Sequence, residues 1–193
     1  MDILEVSKQR QEKAWEIITK AELFQQWENM GGEVNVVGSL KSGLLIHRDI
    51  DVHVYTETVL IEESFSVMAE LAKRLNIKSI QYSNLINTEE ECIEWHALFQ
   101  DSNKDTWKLD VIHIREGSMY DGVVENVTKM IREKLTPEIR QTILQIKYDM
   151  PKDGIIPGIE VYHAVFDGKV KTYSELLQWR KDNPLMDSLT WLP

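Results

Sequence analysis

Asp49 and Asp51 are the residues whose spacing points most directly to chemistry. Ile50 and Val52 alternate with them in the segment that runs from Asp49 to Val54. Strand side chains point alternately to two faces, so both carboxylates project from one face. Two carboxylates held close together repel each other unless a cation lies between them, and Mg²⁺ is a hard cation that prefers oxygen ligands. The pair therefore predicts a metal site; the alternative is a solvated pair on an edge strand.

A Gly38-Ser39 turn precedes the acid pair. The backbone N–H groups of such a turn, together with the serine hydroxyl, can hold phosphate oxygens. Lys41 in the loop and Arg48 at the strand edge are placed to meet the same oxygens. The alternatives are that Ser39 only caps the following turn and that either base is an ordinary exposed residue. The segment predicts a phosphate cradle beside the metal site.

Asp110 is the one acid inside a strongly apolar strand that runs from Trp107 to Ile114. A second strand, Ile93 to Phe99, precedes it, and the polar residues 100–105 between them predict a hairpin. A buried carboxylate is costly unless it is paired or binds a metal. If the hairpin lies beside the strand of the acid pair, Asp110 is the third acid of a cluster. The alternative is that Asp110 is the buried partner of a lysine or arginine.

The elements around the acid pair alternate between helix and strand. A helical pattern runs from Ser7 to about Trp27 and ends before Gly31-Gly32, and a strand follows from Val34 to Gly38. After the acid pair, an apolar stripe predicts a helix from about Glu62 to Leu75, and a strand follows from Ile77 to Tyr82. This order is typical of an α/β core.

The chain beyond Gly117 is expected to be helical. Apolar residues keep helical spacing from Tyr120 to Leu135, and Thr136-Pro137 starts a second helix with an N-cap and a proline at its first position. The segment Ile159 to Phe166 is ambiguous, and we favour helix. Thr172 begins a capping box for a last helix that ends near Lys181.

These elements predict an α/β (α+β) fold, with a mixed sheet flanked by helices and a C-terminal helical part. We expect a catalytic domain over residues 1–116 and a C-terminal helical region over residues 117–193. The C-terminal helices are expected to pack across the sheet edge and to help form an acceptor pocket.

Composition narrows the classes of partner. Thirty-two acids against 22 bases give a formal charge of −10, and no cluster of bases longer than two residues occurs. A protein that follows a nucleic-acid backbone normally displays a basic patch, so a nucleic-acid partner is not expected. No apolar run is long enough to span a membrane, and no signal-peptide pattern is present. The single cysteine, Cys92, agrees with a reducing compartment, so we expect a cytoplasmic protein.

The motifs resemble those of the nucleotidyltransferase superfamily whose best-known member is DNA polymerase beta. The shared pattern is an apolar strand, Gly-Ser, a short spacer, Asp-x-Asp in a second strand and a single Asp in a third. Here these positions are Val34 to Gly38, Ser39, Asp49, Asp51 and Asp110. The resemblance covers about Gly32 to Ile114, and small antibiotic-modifying nucleotidyltransferases share the signature and a similar length. The intact acid triplet argues against a degenerate copy that binds no metal.

The resemblance implies a magnesium-dependent enzyme that moves a nucleoside monophosphate from a nucleoside triphosphate to an acceptor hydroxyl. The acidic charge balance favours a small molecule as the acceptor. It implies a two-metal site, in which ions roughly 3.5–4 Å apart stabilise the attacking and leaving oxygens. The implied metal ligands and catalytic residues are Asp49, Asp51 and Asp110, and Asp110 takes up the acceptor proton. The implied nucleotide-binding residues are Gly38, Ser39, Lys41 and Arg48.

Two rival functions remain open from the sequence. One is a nucleotide-binding regulatory or antitoxin-like module that keeps the fold without turnover. The other is an enzyme that adenylylates a protein side chain. The acceptor, the choice among ATP, GTP, CTP and UTP, and the oligomeric state have no readable signal in the chain.

Overall fold

The computed structural model describes residues 2–151, 153–183 and 191–193. Five strands form one mixed sheet in the order β1-β2-β5-β4-β3. The pair β2 and β5 is parallel, and the other neighbouring pairs are antiparallel. The strands are β1 Glu33–Val36, β2 Asp49–Thr56, β3 Ser79–Asn84, β4 Cys92–Gln100 and β5 Thr106–Arg115. The sheet confirms the predicted α/β class, and the predicted hairpin is β4 and β5.

Eight helices surround the sheet in the described residues. Among these helices, none combines the length and the apolar character that crossing a bilayer requires. The helices are α1 Ile3–Lys20, α2 Leu23–Glu28, α3 Gly38–Ser42, α4 Ile61–Leu75, α5 Val123–Lys134, α6 Pro137–Asp149, α7 Gly158–Phe166 and α8 Tyr173–Asp182.

The prediction of one N-terminal helix up to Trp27 is wrong. The chain forms two helices because Glu22 adopts a left-handed conformation, with φ 51°, immediately before α2. The last turn of α1 closes on Ala21, whose N–H donates to the carbonyl of Ile17. The break turns α2 so that Trp27 is buried in the core.

The main core lies on one face of the sheet. Alternation along β2 sends Ile50, Val52 and Val54 into this core, where they are fully buried among residues of α1, α2 and α4. The same alternation turns Asp49 and Asp51 to the opposite face. The core therefore fixes the register of the strand that carries the acids, since a slip of one residue would turn the carboxylates into the apolar core.

A second apolar cluster joins the C-terminal helices to earlier parts of the chain. Leu144 of α6 and Val161 of α7 are fully buried in it, together with Leu44, which follows α3. Ile3 at the start of α1 belongs to the same cluster and is 7% exposed. The predicted features of these helices are confirmed: Thr136 caps α6, whose first residue is proline, and the ambiguous segment is helical as α7. The cluster brings α6 and α7 against the segment that leads into β2.

Candidate functional site

Asp49, Asp51 and Asp110 meet on one face of the sheet. In the parallel pair of β2 and β5, Asp51 lies opposite Asp110 and Asp49 lies opposite Lys108. One oxygen from each of the three carboxylates lies within 4.8 Å of the others, a geometry that suits a shared metal ion. The structure thus brings the three predicted acids together from two strands that are far apart in sequence.

The acid cluster fits a divalent cation. Oδ1 of Asp49 is buried and has no hydrogen-bond partner in the described part of the chain. Burial and the negative charge of Asp110 raise the pKa of Asp49 to about 6. Burial, followed by the charges of Asp49 and Asp110, raises the pKa of Asp51 well above its usual value. A hard cation such as Mg²⁺ would relieve this repulsion and give the unpartnered oxygen a ligand bond.

Gly38 approaches the cluster too closely to carry a side chain. Its φ is +62°, and a Cβ atom at this position would lie 2.5 Å from Oδ2 of Asp51. The expected tight turn at Gly38-Ser39 is the first turn of the short helix α3, which ends at Ser42 and is followed by the C-cap residue Gly43 with φ +72°. The hydroxyl of Ser42 donates to the Gly38 carbonyl across this helix, at 2.8 Å.

Ser39 faces residues of the C-terminal helices. Nζ of Lys147 donates to Oγ of Ser39 at 2.6 Å and to the carbonyl of Leu44 at 3.0 Å. The hydroxyl of Tyr162 lies 3.1 Å from the same Oγ. Lys147 is only 3% exposed, so the ammonium is held in place by packing as well as by its two acceptors. Ser39 therefore lies next to a buried positive charge from α6.

The two other predicted phosphate ligands have different surroundings. Lys41 is exposed in the last turn of α3. The guanidinium of Arg48 forms an ion pair with Asp105 in the turn between β4 and β5, at 2.7 Å. An arriving nucleotide would have to compete with Asp105 for Arg48, whereas Lys41 is available to solvent.

Both oxygens of Asp110 accept hydrogen bonds. Nδ1 of His96 lies 2.8 Å from Oδ1, and Nζ of Lys108 lies 2.5 Å from Oδ2. Partial burial disfavours the charged lysine, but the hydrogen bond to Asp110 and the negative charges of the three acids together outweigh burial and raise the pKa of Lys108. The pairing of Asp110 with a base is the alternative that the sequence left open, and it coexists with membership of the acid cluster.

A second polar network lies further along the same face of β2. Oε1 of Glu125, in the first turn of α5, accepts from the hydroxyl of Tyr55 at 2.9 Å and contacts Nδ1 of His53 at 3.1 Å. A cavity of about 690 Å³ adjoins this network. Its described lining contains four acids and no lysine or arginine: Glu33, Asn35, Tyr55, Glu116, Gly117, Asp121, Gly122 and Glu125.

Sequence reasoning missed Lys147, Tyr162 and Lys108. Lys108 carried a readable signal, because it is two residues from Asp110 in a strand and must share its face. Lys147 carried a weaker one, since it interrupts the apolar face of α6 that includes Ile143 and Leu144. Tyr162 had no signal, because its position depends on how α7 packs against α3.

The fold is similar to that of solved structures of Cid1, which are described as an RNA terminal uridylyl transferase and a poly(U) polymerase. The chain superposes on RNA terminal uridylyl transferase Cid1 with a TM-score of 0.54 and 14% identity, covering 83% of this chain and 51% of that chain. A Cid1 poly(U) polymerase mutant bound to MgATP gives a TM-score of 0.56 at 15% identity, over 82% and 49% of the two chains. These likenesses confirm the resemblance that the motifs indicated, at the level of the fold.

The chain spans about half the length of these solved structures. The chain also superposes on a complex of Cid1 poly(U) polymerase with magnesium and 3′-dATP, with a TM-score of 0.53 and 15% identity. This alignment covers 86% of this chain and 53% of that chain. No protein-family profile matches the sequence. No curated protein sequence matches it either.

Proposed function

We propose that the chain is a magnesium-dependent nucleotidyltransferase that moves a nucleoside monophosphate from a nucleoside triphosphate to a hydroxyl of a small molecule. The observation that carries the proposal is the acid cluster, whose ligand oxygens lie within 4.8 Å of one another. Asp49 and Asp51 supply ligands from β2, and Asp110 supplies the third from β5. Bound Mg²⁺ would supply electrostatic stabilisation of the attacking and leaving oxygens.

Residues of the chain take up the acceptor proton and bind the phosphates. Asp110 takes up the proton of the acceptor hydroxyl. Nδ1 of His96 lies 2.8 Å from Oδ1 of Asp110 and holds the carboxylate in place. The backbone of Gly38 and the hydroxyl of Ser39 hold the β- and γ-phosphates, and Lys41 or Arg48 neutralises the leaving pyrophosphate. The buried ammonium of Lys147, at 2.6 Å from Ser39, adds a fixed positive charge to this cradle. Fixed charges of this kind contribute most of the catalysis in phosphoryl chemistry.

A small molecule is the acceptor that the charge distribution favours. The cavity beside Tyr55 is lined by four acids, which would repel the phosphates of a nucleic acid. The net charge of −10 acts in the same direction. The solved neighbours are RNA uridylyl transferases, so RNA is the second acceptor to test. We propose a cytoplasmic location, in agreement with a single, buried cysteine.

Transfer is tested with radiolabelled ATP, GTP, CTP and UTP, Mg²⁺, and panels of hydroxyl compounds, RNA and protein. Asp51→Asn is expected to abolish label transfer while its unfolding midpoint stays equal to or above that of the wild type, because a neutral amide removes repulsion within the cluster. The matched control is Asp149→Asn, which makes the same change at an exposed position on α6.

The rivals give different outcomes in the same experiment. Label on RNA or on a protein would keep the catalytic centre and replace the small-molecule acceptor. Metal-dependent binding of nucleotide with no transfer to any acceptor would favour a regulatory module. Normal transfer by Asp51→Asn would contradict the assigned metal site.

A further inference from the structure

Lys108 is a positive charge built into the acid cluster. It lies opposite Asp49 in the register of β2 and β5 and shares its strand face with Asp110. Its Nζ lies 2.5 Å from Oδ2 of Asp110. The side chain is 43% exposed, so it has room to leave the cluster without disturbing the sheet.

The charges of the three acids and Lys108 do not balance. Three carboxylates gather within 4.8 Å, and Lys108 is the one lysine in hydrogen-bond contact with any of them among the described residues. When all three carboxylates are ionised, one ammonium leaves two negative charges without a partner, which is the charge of one divalent cation. A divalent cation that binds Oδ2 of Asp110 would meet the ammonium at the same atom and be repelled by it.

We propose that Lys108 is the resident counter-ion of the acid cluster and competes with divalent cations for Asp110, so that it weakens the binding of free metal. The proposal rests on the metal site of the proposed function. The contact between Nδ1 of His96 and Oδ1 of Asp110 does not involve Lys108, so Asp110 keeps its orientation in the cluster when Lys108 moves away. Lys108 is thus a residue that tunes metal loading, while the three acids remain the ligands.

The test is a titration of the nucleotide-free protein with Mn²⁺, which also prefers carboxylate oxygens and is followed by electron paramagnetic resonance. Lys108→Met is expected to bind Mn²⁺ about tenfold more tightly than the wild type, a change equal to about 1.4 kcal/mol. Lys108→Arg keeps the charge and is expected to bind Mn²⁺ within about twofold of the wild type. The matched control is Lys73→Met on α4, where an exposed lysine pairs only with Glu70 in the described structure.

Thermal unfolding gives a second readout. Without metal, Lys108→Met is expected to unfold at a lower temperature than the wild type, because the acids lose their counter-ion. With Mn²⁺ its midpoint is expected to rise by more than that of the wild type, because a ligand that binds the folded state more tightly stabilises it more. Lys73→Met is expected to match the wild type in both conditions.

Equal or weaker Mn²⁺ binding by Lys108→Met would overturn the proposal. If Lys108→Met does not fold, Lys108→Gln removes the charge at similar length, and the same comparison decides. If neither the wild type nor the variant binds Mn²⁺ while both are folded, the metal site itself is absent and the proposed function fails with it. Binding by the wild type with no gain in the variant would overturn the role of Lys108 alone.

Discussion

Gly38 is constrained at two levels, by its own backbone conformation and by the carboxylate of Asp51. The positive φ of +62° favours glycine, and the space that a Cβ would need is occupied by Oδ2 of Asp51. Any side chain here would push against the metal-binding face of β2. The requirement for glycine therefore comes from the site as much as from the turn.

Gly38→Ala is expected to lower nucleotidyl transfer on the order of 100-fold, the cost associated with a displacement of about 1 Å in a catalytic group. Gly31→Ala is the matched control, because Gly31 also has a positive φ, of +81°, but has open space around the position of the Cβ. Both variants carry the same kind of backbone strain. Steady-state transfer and thermal unfolding measure the two effects separately, and equal transfer by the two variants would contradict the steric argument.

The repulsion between the acids makes the stability of the metal-free protein depend on pH. The pKa of Asp49 is raised to about 6. Folding therefore favours the protonated carboxyl, and the stability that Asp49 contributes is complete below its unfolded pKa, about 3.9, and is lost as the pH rises through 6. We expect the midpoint of the wild type, measured relative to Asp49→Asn, to be a few degrees higher at pH 5.5 than at pH 7.5.

The comparison with Asp49→Asn removes the effect of two buried histidines. Burial lowers the pKa of His47 and His113 to about 4, so below pH 6.5 each takes stability away as the pH falls. Both histidines are present in the variant, and their contribution cancels in the difference. Saturating Mg²⁺ is expected to make the difference in unfolding midpoint between the wild type and Asp49→Asn independent of pH. If the difference is already independent of pH without metal, burial and the charge of Asp110 do not raise the pKa of Asp49.

At the scale of elements, β2 and β5 were predictable because each has its own alternating pattern. Asp49, Asp51 and Asp110 could be assigned to one cluster because two strands with these patterns tend to pair. The position of Lys147 could not be assigned, because it depends on the angle at which α6 meets α3. The predicted phosphate ligands Lys41 and Arg48 stay predictions, and α6 provides a third candidate.

Lys147→Met tests whether α6 belongs to the nucleotide site. Methionine keeps an apolar stem of similar length in the buried position and removes the charge next to Ser39. We expect the affinity for the nucleoside triphosphate to fall about tenfold, since hydrogen bonds to charged groups contribute about 1.5–3 kcal/mol. Isothermal titration calorimetry measures the change, and Lys41→Met and Arg48→Met, titrated in parallel, rank the three bases. An unchanged affinity in Lys147→Met would exclude α6 from the cradle.

At the scale of the molecule, the two apolar clusters share α1. Ala14 and Ile18 belong to the core under the sheet, whereas Ile3 and Val6 belong to the cluster of the C-terminal helices. The division of the chain into a catalytic domain over residues 1–116 and a helical region over residues 117–193 stays a prediction. The packing of α1 against both clusters gives a physical reason for the two parts to unfold together.

We expect one cooperative unfolding transition, with the same midpoint by circular dichroism and by tryptophan fluorescence. Leu71→Ala in the core under the sheet and Leu144→Ala in the other cluster each remove a fully buried side chain. Each is expected to cost about 2–5 kcal/mol and to shift the whole transition. If the two clusters were independent, each variant would shift only one of two steps.

The contact between Lys147 and Ser39 also has a consequence for the nascent chain during synthesis. On the ribosome the acids of β2 and β5 emerge first, whereas Lys147 and Tyr162 follow only with α6 and α7. At about 5–20 residues per second, that delay lasts a few seconds. A partly synthesised polypeptide therefore contains all three acids before it contains the buried lysine of the nucleotide cradle, and it would gain the complete proposed site only late in translation.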